Sequence, residues 1–174
     1  HQRQSEHSRY LRFFAPMPKL SRRDLERFTH VDHHDRVAFV VLLGAEIVAV
    51  GRYDRIEPHS AEVAFNVSDS HQGTGLASVL LEHLAAAARE RGLNSFTAEV
   101  LPQNTKMIKV FTETGFDVDR VYDDGVVMVS FRIDPTARSL AVMAEREHRA
   151  EAQAMERLLH PESVLLIGVS SRAD

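Results

Sequence analysis

One short segment of the chain combines glycines with the start of a helix, a pairing suited to holding phosphate. Residues 72–77 read Gln-Gly-Thr-Gly-Leu-Ala and lie between a predicted strand and a predicted helix. Glycines let backbone N–H groups approach a ligand closely. A helix N-terminus adds unpaired N–H donors and a partial positive charge. The segment therefore predicts a pyrophosphate site, although a plain turn before a helix would look the same.

The same segment differs from two common nucleotide-binding motifs. It has no Gly-Lys-Ser/Thr, so it is not a P-loop. The third glycine of the dinucleotide-binding fingerprint is also missing, and the preceding strands are predicted to form hairpins.

Titratable residues near this segment offer alternative chemistry. Glu57 and His59 precede the strand that leads to the glycines, while Glu62 and Glu99 lie within predicted strands. His30, His33 and His34 also cluster with Asp32 and Asp35. Zinc needs ligands in a fixed geometry, so we interpret residues 30–35 as a polar loop and expect no metal.

The elements that must position these residues follow from hydrophobic spacing and from turn residues. Ser21 with Asp24 is a near match to a helix capping box, whereas the first helix is predicted to start without a cap. Predicted helices span 1–14, 21–28, 73–91, 104–114 and 135–159. Predicted strands span 36–43, 46–56, 61–67, 95–101, 116–122, 126–133 and 163–167.

Composition limits the class of protein. The 174 residues are 44% hydrophobic and 26% charged, which suits one globular domain with a real core. The net charge of −4 gives no electrostatic reason to expect nucleic acid, and no apolar run is long enough for a membrane span. There are no cysteines, which excludes a cysteine nucleophile and fits the cytoplasm.

Taken together, several of these residues resemble one family. Gln72, Gly75 and Ala77 match the Q/R-x-x-G-x-G/A motif of the GNAT family of acetyltransferases. Asn104 at a helix start and Gly115 before Phe116 at its end also fall where that family has them. The resemblance covers about residues 36–133. It implies an α/β (α+β) fold with a splayed, mixed, mostly antiparallel sheet flanked by helices.

The resemblance also implies where acetyl-CoA binds. Strands 61–67 and 95–101 would part to admit the pantetheine arm, which would pair with the strand backbone like an added strand. The N–H groups of residues 73–77 would hold the pyrophosphate. Asn104 would reach the CoA arm, or it would serve only as a helix cap. The implied acetyl-CoA contacts are Phe65, Asn66, Val67, Gln72, Gly73, Thr74, Gly75, Leu76, Ala77, Asn104 and Phe111.

Transfer to an amine requires a base. A lysine amine has a pKa of about 10.4, so it is protonated near neutral pH and must lose a proton before it attacks. Many members of the family carry a glutamate on this strand as the base, which implies Glu62, with Glu57 and His59 as alternatives. A strand glutamate in a cross-strand ion pair is the structural alternative for Glu62.

The family often has a tyrosine that protonates the leaving thiolate, and Phe111 stands at that position here. Phenylalanine has no proton to donate. Water or another group must then act, or the thiolate leaves unassisted, as a thiol pKa near 8.5 permits.

Two further segments indicate which group of acetyltransferases the chain resembles. Arg9–Phe14, with Pro16 and Pro18, resembles a segment of bacterial Pat-type protein lysine acetyltransferases. Residues 160–170 resemble the start of the CoA-binding domain of ADP-forming acyl-CoA synthetases. We therefore expect an acetyltransferase domain at 1–133, with the first family strand upstream of His1. A linker helix at 134–160 and the start of a CoA-binding domain at 161–174 would follow.

The expected activity is direct transfer from acetyl-CoA, in a ternary complex, to a lysine of an AMP-forming acyl-CoA synthetase. The sequence leaves two alternatives open. One is acetylation of a small-molecule amine, which needs a closed acceptor pocket. The other is a non-catalytic acetyl-CoA sensor, which would be indifferent to loss of Glu62.

Overall fold

The computed structural model describes residues 4–159, with side chains described as far as residue 156. The predicted strand at 163–167 lies outside the described residues. The helices are α1 (Glu6–Phe13), α2 (Arg22–Thr29), α3 (Leu76–Glu90), α4 (Thr105–Glu113) and α5 (Ala137–Leu159), and Asp69–His71 forms one 3-10 turn. The strands are β1 (Arg36–Leu43), β2 (Glu46–Glu57), β3 (Ser60–Val67), β4 (Ser95–Val100), β5 (Val118–Asp123) and β6 (Val126–Arg132).

The strands form one six-stranded sheet in the order β1-β2-β3-β4-β6-β5. Only the β3–β4 pair is parallel, and the other neighbours are antiparallel. This confirms the predicted mixed, mostly antiparallel sheet flanked by helices. The parallel pair lies at the centre, so α3 serves as the crossover between β3 and β4.

Side-chain alternation gives the two sheet faces different partners. On one face Val63 and Phe65 of β3 are buried beneath α3, which packs on β1, β2 and β3. Helix α2 contacts the opposite face through the Phe28 ring, which lies on Arg52, and Arg52 lies across from Ala64 in the β2–β3 ladder. Glu62 belongs to this second face, because it is two residues from Ala64 on the same strand.

A chain of aromatic rings fills the core on the α3 side. Phe96 packs on Tyr53 and on Phe131, with ring centroids 5.8 and 6.1 Å apart. Phe131 continues to Phe116 and Phe111 at 5.5 and 5.7 Å. All five residues are buried, so these rings fix how β2, β4, α4 and β6 meet beside the site.

Three predicted helix starts can be compared with the structure. The capping box at Ser21 and Asp24 is confirmed. The expectation of an uncapped first helix is wrong, because Ser5 accepts the backbone N–H of Ser8. The predicted helix at 73–91 begins only at Leu76, because Gly73 and Gly75 have φ of +77° and +84°, and right-handed helices exclude that conformation.

The polar loop at residues 30–35 has a structural use. The carboxylate of Asp32 accepts backbone N–H groups from His34, Asp35 and Arg36 at 2.8–2.9 Å. These bonds lower the pKa of Asp32, the one from Arg36 most. Within residues 4–159 no cluster of three or more potential metal ligands is present, and no helix is long and apolar enough to cross a bilayer.

The start of α5 is held against the domain. The Thr136 hydroxyl donates to the Gly115 carbonyl at 2.9 Å, and the buried Ser139 hydroxyl accepts the Thr136 N–H at 2.9 Å. Farther along the helix, Arg146 pairs with Glu82 of α3. Most other described side chains of α5 are exposed, as its charged composition predicts.

Candidate active site

The two central strands part halfway along their length. β3 and β4 pair only at Ser60–Ser95, Ala61–Phe96 and Glu62–Thr97. Beyond these pairs, Val63–Val67 and Ala98–Val100 are not paired with each other in the described sheet. Backbone groups on the open side of β3 are therefore available to an extended ligand, as the splayed-sheet prediction requires.

A cavity of about 870 Å³ lies at this opening. Residues of α1, α2, β3, β4 and α4 line it, together with the glycine segment before α3. Its walls include ten of the eleven predicted acetyl-CoA contacts and Glu62. Those ten are Phe65, Asn66, Val67, Gln72, Gly73, Gly75, Leu76, Ala77, Asn104 and Phe111. Thr74 is exposed outside this lining, and its hydroxyl donates to the His71 carbonyl at 2.6 Å.

The glycine segment keeps its backbone open to the cavity. A methyl group built on Gly73 or on Gly75 would meet no heavy atom within 4 Å. Gly75 is the N-cap residue of α3 and offers no side-chain hydrogen bond to the helix. The first N–H groups of an α-helix have no partner within the helix. This segment can therefore present several amide donors to a phosphate.

Gln72 has a role that the motif did not reveal. Its amide nitrogen donates to the Ser8 hydroxyl at 3.1 Å and to Asp69 at 3.2 Å. Asp69 also accepts the Ser5 N–H at 2.7 Å and the hydroxyl of Ser8. These bonds, above all that from Ser8, lower the pKa of Asp69. Gln72 thereby joins the glycine segment to helix α1.

The open end of β3 is also bonded to Gln4, which lies just before α1. The buried side chain of Gln4 donates to the Val67 carbonyl at 3.3 Å and to the Asn66 side chain. Two of the predicted acetyl-CoA contacts thus support the wall formed by α1.

Glu62 is exposed, lines the cavity and stands across from Asp54 in the β2–β3 ladder. The rival bases differ in position. Glu57 is exposed at the end of β2 and outside the cavity lining. His59 is engaged with the Gly92 carbonyl at 3.0 Å. Glu99 is exposed on β4 and lines the cavity. The geometry favours Glu62 over Glu57 and His59.

The side chains of Asn104 and Phe111 both contact other residues of this protein. Asn104 caps α4, since its side-chain oxygen accepts the Met107 N–H at 3.2 Å, so the structural alternative for Asn104 holds. Phe111 is buried and meets Phe65 edge-on, with ring centroids 6.1 Å apart. A contact of either residue with acetyl-CoA remains a prediction.

Sequence reasoning missed three arginines in the cavity wall that α1, α2 and β2 form, which we call the acceptor side because Glu62 is the predicted base. Arg12 of α1, Arg27 of α2 and Arg52 of β2 line the same cavity as Glu62. Arg52 stacks on the Phe28 ring, with its guanidinium carbon 4.8 Å from the centroid. A signal was present, because Arg52 and Asp54 alternate on a predicted strand that a hairpin places beside Glu62.

With this geometry in place, comparison with known proteins identifies the class. The model of the acetyltransferase (GNAT) family matches residues 4–116, and the chain belongs to this family. It is 36% identical over 129 residues to Acetyltransferase Pat of Mycolicibacterium smegmatis, covering 71% of this chain and 38% of that protein. The chain thus spans well under half the length of that curated relative.

Similarity to solved structures supports the same family. The GNAT domain of S. lividans PAT superposes with a TM-score of 0.71 at 51% identity, covering 75% of this chain and 80% of that one. A cAMP-binding acyltransferase from Mycobacterium smegmatis gives a TM-score of 0.56 at 32% identity, covering 74% and 40%. The resemblance inferred from Gln72, Gly75 and Ala77 is therefore confirmed at the level of family.

Proposed function

We propose that this domain transfers an acetyl group from acetyl-CoA to a protein lysine, and that the acceptor is an AMP-forming acyl-CoA synthetase. The observation that carries the proposal is one cavity joining the open edge of β3 to the exposed carboxylate of Glu62. An exposed base suits an amine presented by a large partner. Similarity to a protein named Acetyltransferase Pat and the Pat-like segment Arg9–Phe14 support the choice of acceptor.

The residues of the cavity fit acetyl-CoA as the acyl donor. The open edge of Val63–Val67 offers main-chain groups to the two amides of a pantetheine arm. The space around Gly73 and Gly75, with the α3 N-terminus, suits a pyrophosphate. Thioester and amine would then meet where β3 and β4 separate, next to Glu62.

The mechanism we propose is direct transfer. Glu62 takes one proton from the ammonium group of the lysine, directly or through a water molecule. The neutral amine attacks the thioester carbonyl, forming the C–N bond. The nitrogen then loses its second proton to water, and the C–S bond breaks to release the CoA thiolate. A backbone N–H within Phe65–Val67 would stabilise the oxyanion. Phe111 supplies no proton, so the thiolate takes its proton from water.

A covalent route would need a nucleophile on the enzyme. The chain has no cysteine, so a cysteinyl thioester cannot form on it. Direct transfer requires both substrates to be bound together. The cavity reaches both the glycine segment and the α1–α2 wall, which supports a ternary complex.

A small-molecule amine is the second candidate acceptor. Helices α1 and α2 cover part of the acceptor side, and three arginines line it. Such a pocket also suits a small amine that carries a carboxylate.

We also propose a domain organisation for the whole chain. The acetyltransferase domain spans 1–133, the helix at 134–160 links it onward, and 161–174 open a CoA-binding domain. The proposed setting is the cytoplasm, where acyl-CoA synthetases would meet the enzyme.

Acetyl-CoA binding should depend on the absence of a side chain at Gly75. We expect Gly75→Ala to raise the dissociation constant for acetyl-CoA about tenfold, equivalent to about 1.4 kcal/mol. The new methyl group would occupy the open space before α3, and φ of +84° would be strained. Isothermal titration would measure the change. Gly44→Ala is the control, since Gly44 also has positive φ and open space but lies in the β1–β2 turn. Equal affinities in all three proteins would contradict the pyrophosphate assignment.

Acceptor identity is tested with acetyl-CoA and a purified AMP-forming acyl-CoA synthetase, followed by intact-mass and peptide mass spectrometry. We expect one lysine of the synthetase to gain an acetyl group, with loss of synthetase activity in proportion. Acetylation scattered over many lysines at the rate seen without enzyme would reject this acceptor. Rapid acetylation of small amines with no transfer to the synthetase would select the second candidate.

A further inference from the structure

One charged side chain in the cavity lacks a counterpart. Arg12 is partly buried on α1, and within residues 4–159 its guanidinium donates no hydrogen bond and forms no ion pair. Its described contact is with the ring of Phe13, 5.1 Å from the centroid. Burial, and next the positive charge of Arg52, lower the pKa of Arg12. A cation held partly out of water without an anion is costly.

The neighbouring carboxylates do not supply that anion. Asp54 is already shared by three arginines, with N–O distances of 2.6 Å to Arg52, 3.5 Å to Arg36 and 3.6 Å to Arg27. Glu62 is electrostatically coupled to Arg12, but the two form no ion pair. As the proposed base, Glu62 must also meet the substrate amine.

A second unsatisfied group lies behind Arg12. Arg52 is 7% exposed, and its Nη2 binds both carboxylate oxygens of Asp54 at 2.7 and 2.6 Å. Its other terminal nitrogen, Nη1, is buried and has no partner. A buried donor without an acceptor is uncommon in folded proteins. Two guanidinium groups in one wall of the cavity thus have unused hydrogen-bond donors.

We infer that the acceptor carries a carboxylate close to its reactive amine, and that Arg12, backed by Arg52, binds this carboxylate while Glu62 receives the amine. This inference rests on the proposed function for the position of the amine. It makes Arg12 a residue that determines acceptor specificity. A guanidinium is well matched to a carboxylate, because it can donate two parallel hydrogen bonds.

Two sources of such a carboxylate share this chemistry. One is an aspartate or glutamate side chain next to the target lysine of a protein. The other is the α-carboxylate of a free amino acid whose amine is acetylated.

Bisubstrate analogues, with CoA joined through an acetyl bridge to the acceptor amine, separate this inference from the proposed function, since they need only bind. One pair of analogues is a short lysine peptide with aspartate or asparagine beside the lysine. The other pair is glycine and glycinamide, joined through the α-amine. Dissociation constants are measured by titration for the wild type, Arg12→Gln, Arg12→Lys and the control Arg23→Gln. Arg23 is exposed on α2 and outside the cavity lining.

We expect the wild type to bind the carboxylate member of one pair at least about tenfold more tightly, or about 1.4 kcal/mol. A preference within the peptide pair assigns the carboxylate to a protein side chain, and within the glycine pair to a free amino acid. Arg12→Gln should reduce the ratio of the two dissociation constants to about one, Arg12→Lys should keep part of it, and Arg23→Gln should keep all of it.

Equal affinities within both wild-type pairs, or a preference that survives in Arg12→Gln, would overturn the inference. Should Arg12→Gln fail to fold, the wild-type pairs and Arg12→Lys decide. Failure of lysine acetylation in turnover assays would remove the proposed acceptor without changing these ratios.

Discussion

Glu62→Gln should lower kcat/KM for the acceptor by about 10²–10⁴ at neutral pH, the usual contribution of a general base. The dissociation constant for acetyl-CoA should not change, because the carboxylate lies beside the acceptor side of the cavity. Glutamine keeps the size of the side chain but cannot take a proton. Steady-state kinetics, with acetyl-CoA binding measured separately, would show this split.

The pH dependence then distinguishes a base from a structural residue. Without a base, only the small neutral fraction of the amine reacts. That fraction grows about tenfold per pH unit below the lysine pKa of about 10.4. The activity of Glu62→Gln should therefore rise with pH and approach that of the wild type under alkaline conditions. A uniform loss at every pH would point to a structural role for Glu62.

Controls for this experiment are available on the same protein. Glu57→Gln and His59→Gln change the rival bases, which lie outside the cavity lining, and should leave kcat/KM within about twofold of the wild type. Glu99→Gln tests the other exposed carboxylate in the cavity. If Glu99→Gln alone reproduced the pH-dependent loss, Glu99 would be the base instead of Glu62.

The sequence was most informative where local chemistry decides the structure. β1 has the predicted bounds at both ends, because a continuous apolar run ends at a Gly turn. The capping box at Ser21 depends only on residues three apart. The family motif located the segment that we propose to bind phosphate, and Gly73 and Gly75 give this segment its positive-φ backbone.

What the sequence did not predict depends on contacts distant along the chain. Gln72 joins α1 through Ser8, 64 residues away, and no local pattern reveals such a bond. Arg12 lines the cavity together with Arg52 and Glu62, and bonds from Ser5 and Ser8 to Asp69 hold α1 at this position. The proposed acceptor side of the cavity thus depends on tertiary packing, whereas the proposed phosphate site depends largely on one motif.

The junction between the domain and α5 carries the second large expected effect. Gly115 has φ of +80°, and a methyl group built there would lie 2.8 Å from backbone atoms of Arg138 and Ser139. Backbone atoms cannot move aside without displacing the first turn of α5, which Thr136 holds to the Gly115 carbonyl. We expect Gly115→Ala to destabilise the fold by about 2–5 kcal/mol, from left-handed strain of about 1–2 kcal/mol and overpacking of about 1–3 kcal/mol.

Gly92→Ala separates the two contributions to that loss. Gly92 has φ of +76°, close to that of Gly115, but a methyl group there meets no heavy atom within 4 Å. The Gly92→Ala variant should therefore be destabilised by strain alone, by about 1–2 kcal/mol. Urea unfolding at equilibrium would give both free energies. If the two variants lost equal stability, then α5 would not pack on Gly115 in solution. If Gly115→Ala lost far more, the start of α5 would be an integral part of the acetyltransferase domain, and the boundary expected at residue 133 would move into this helix.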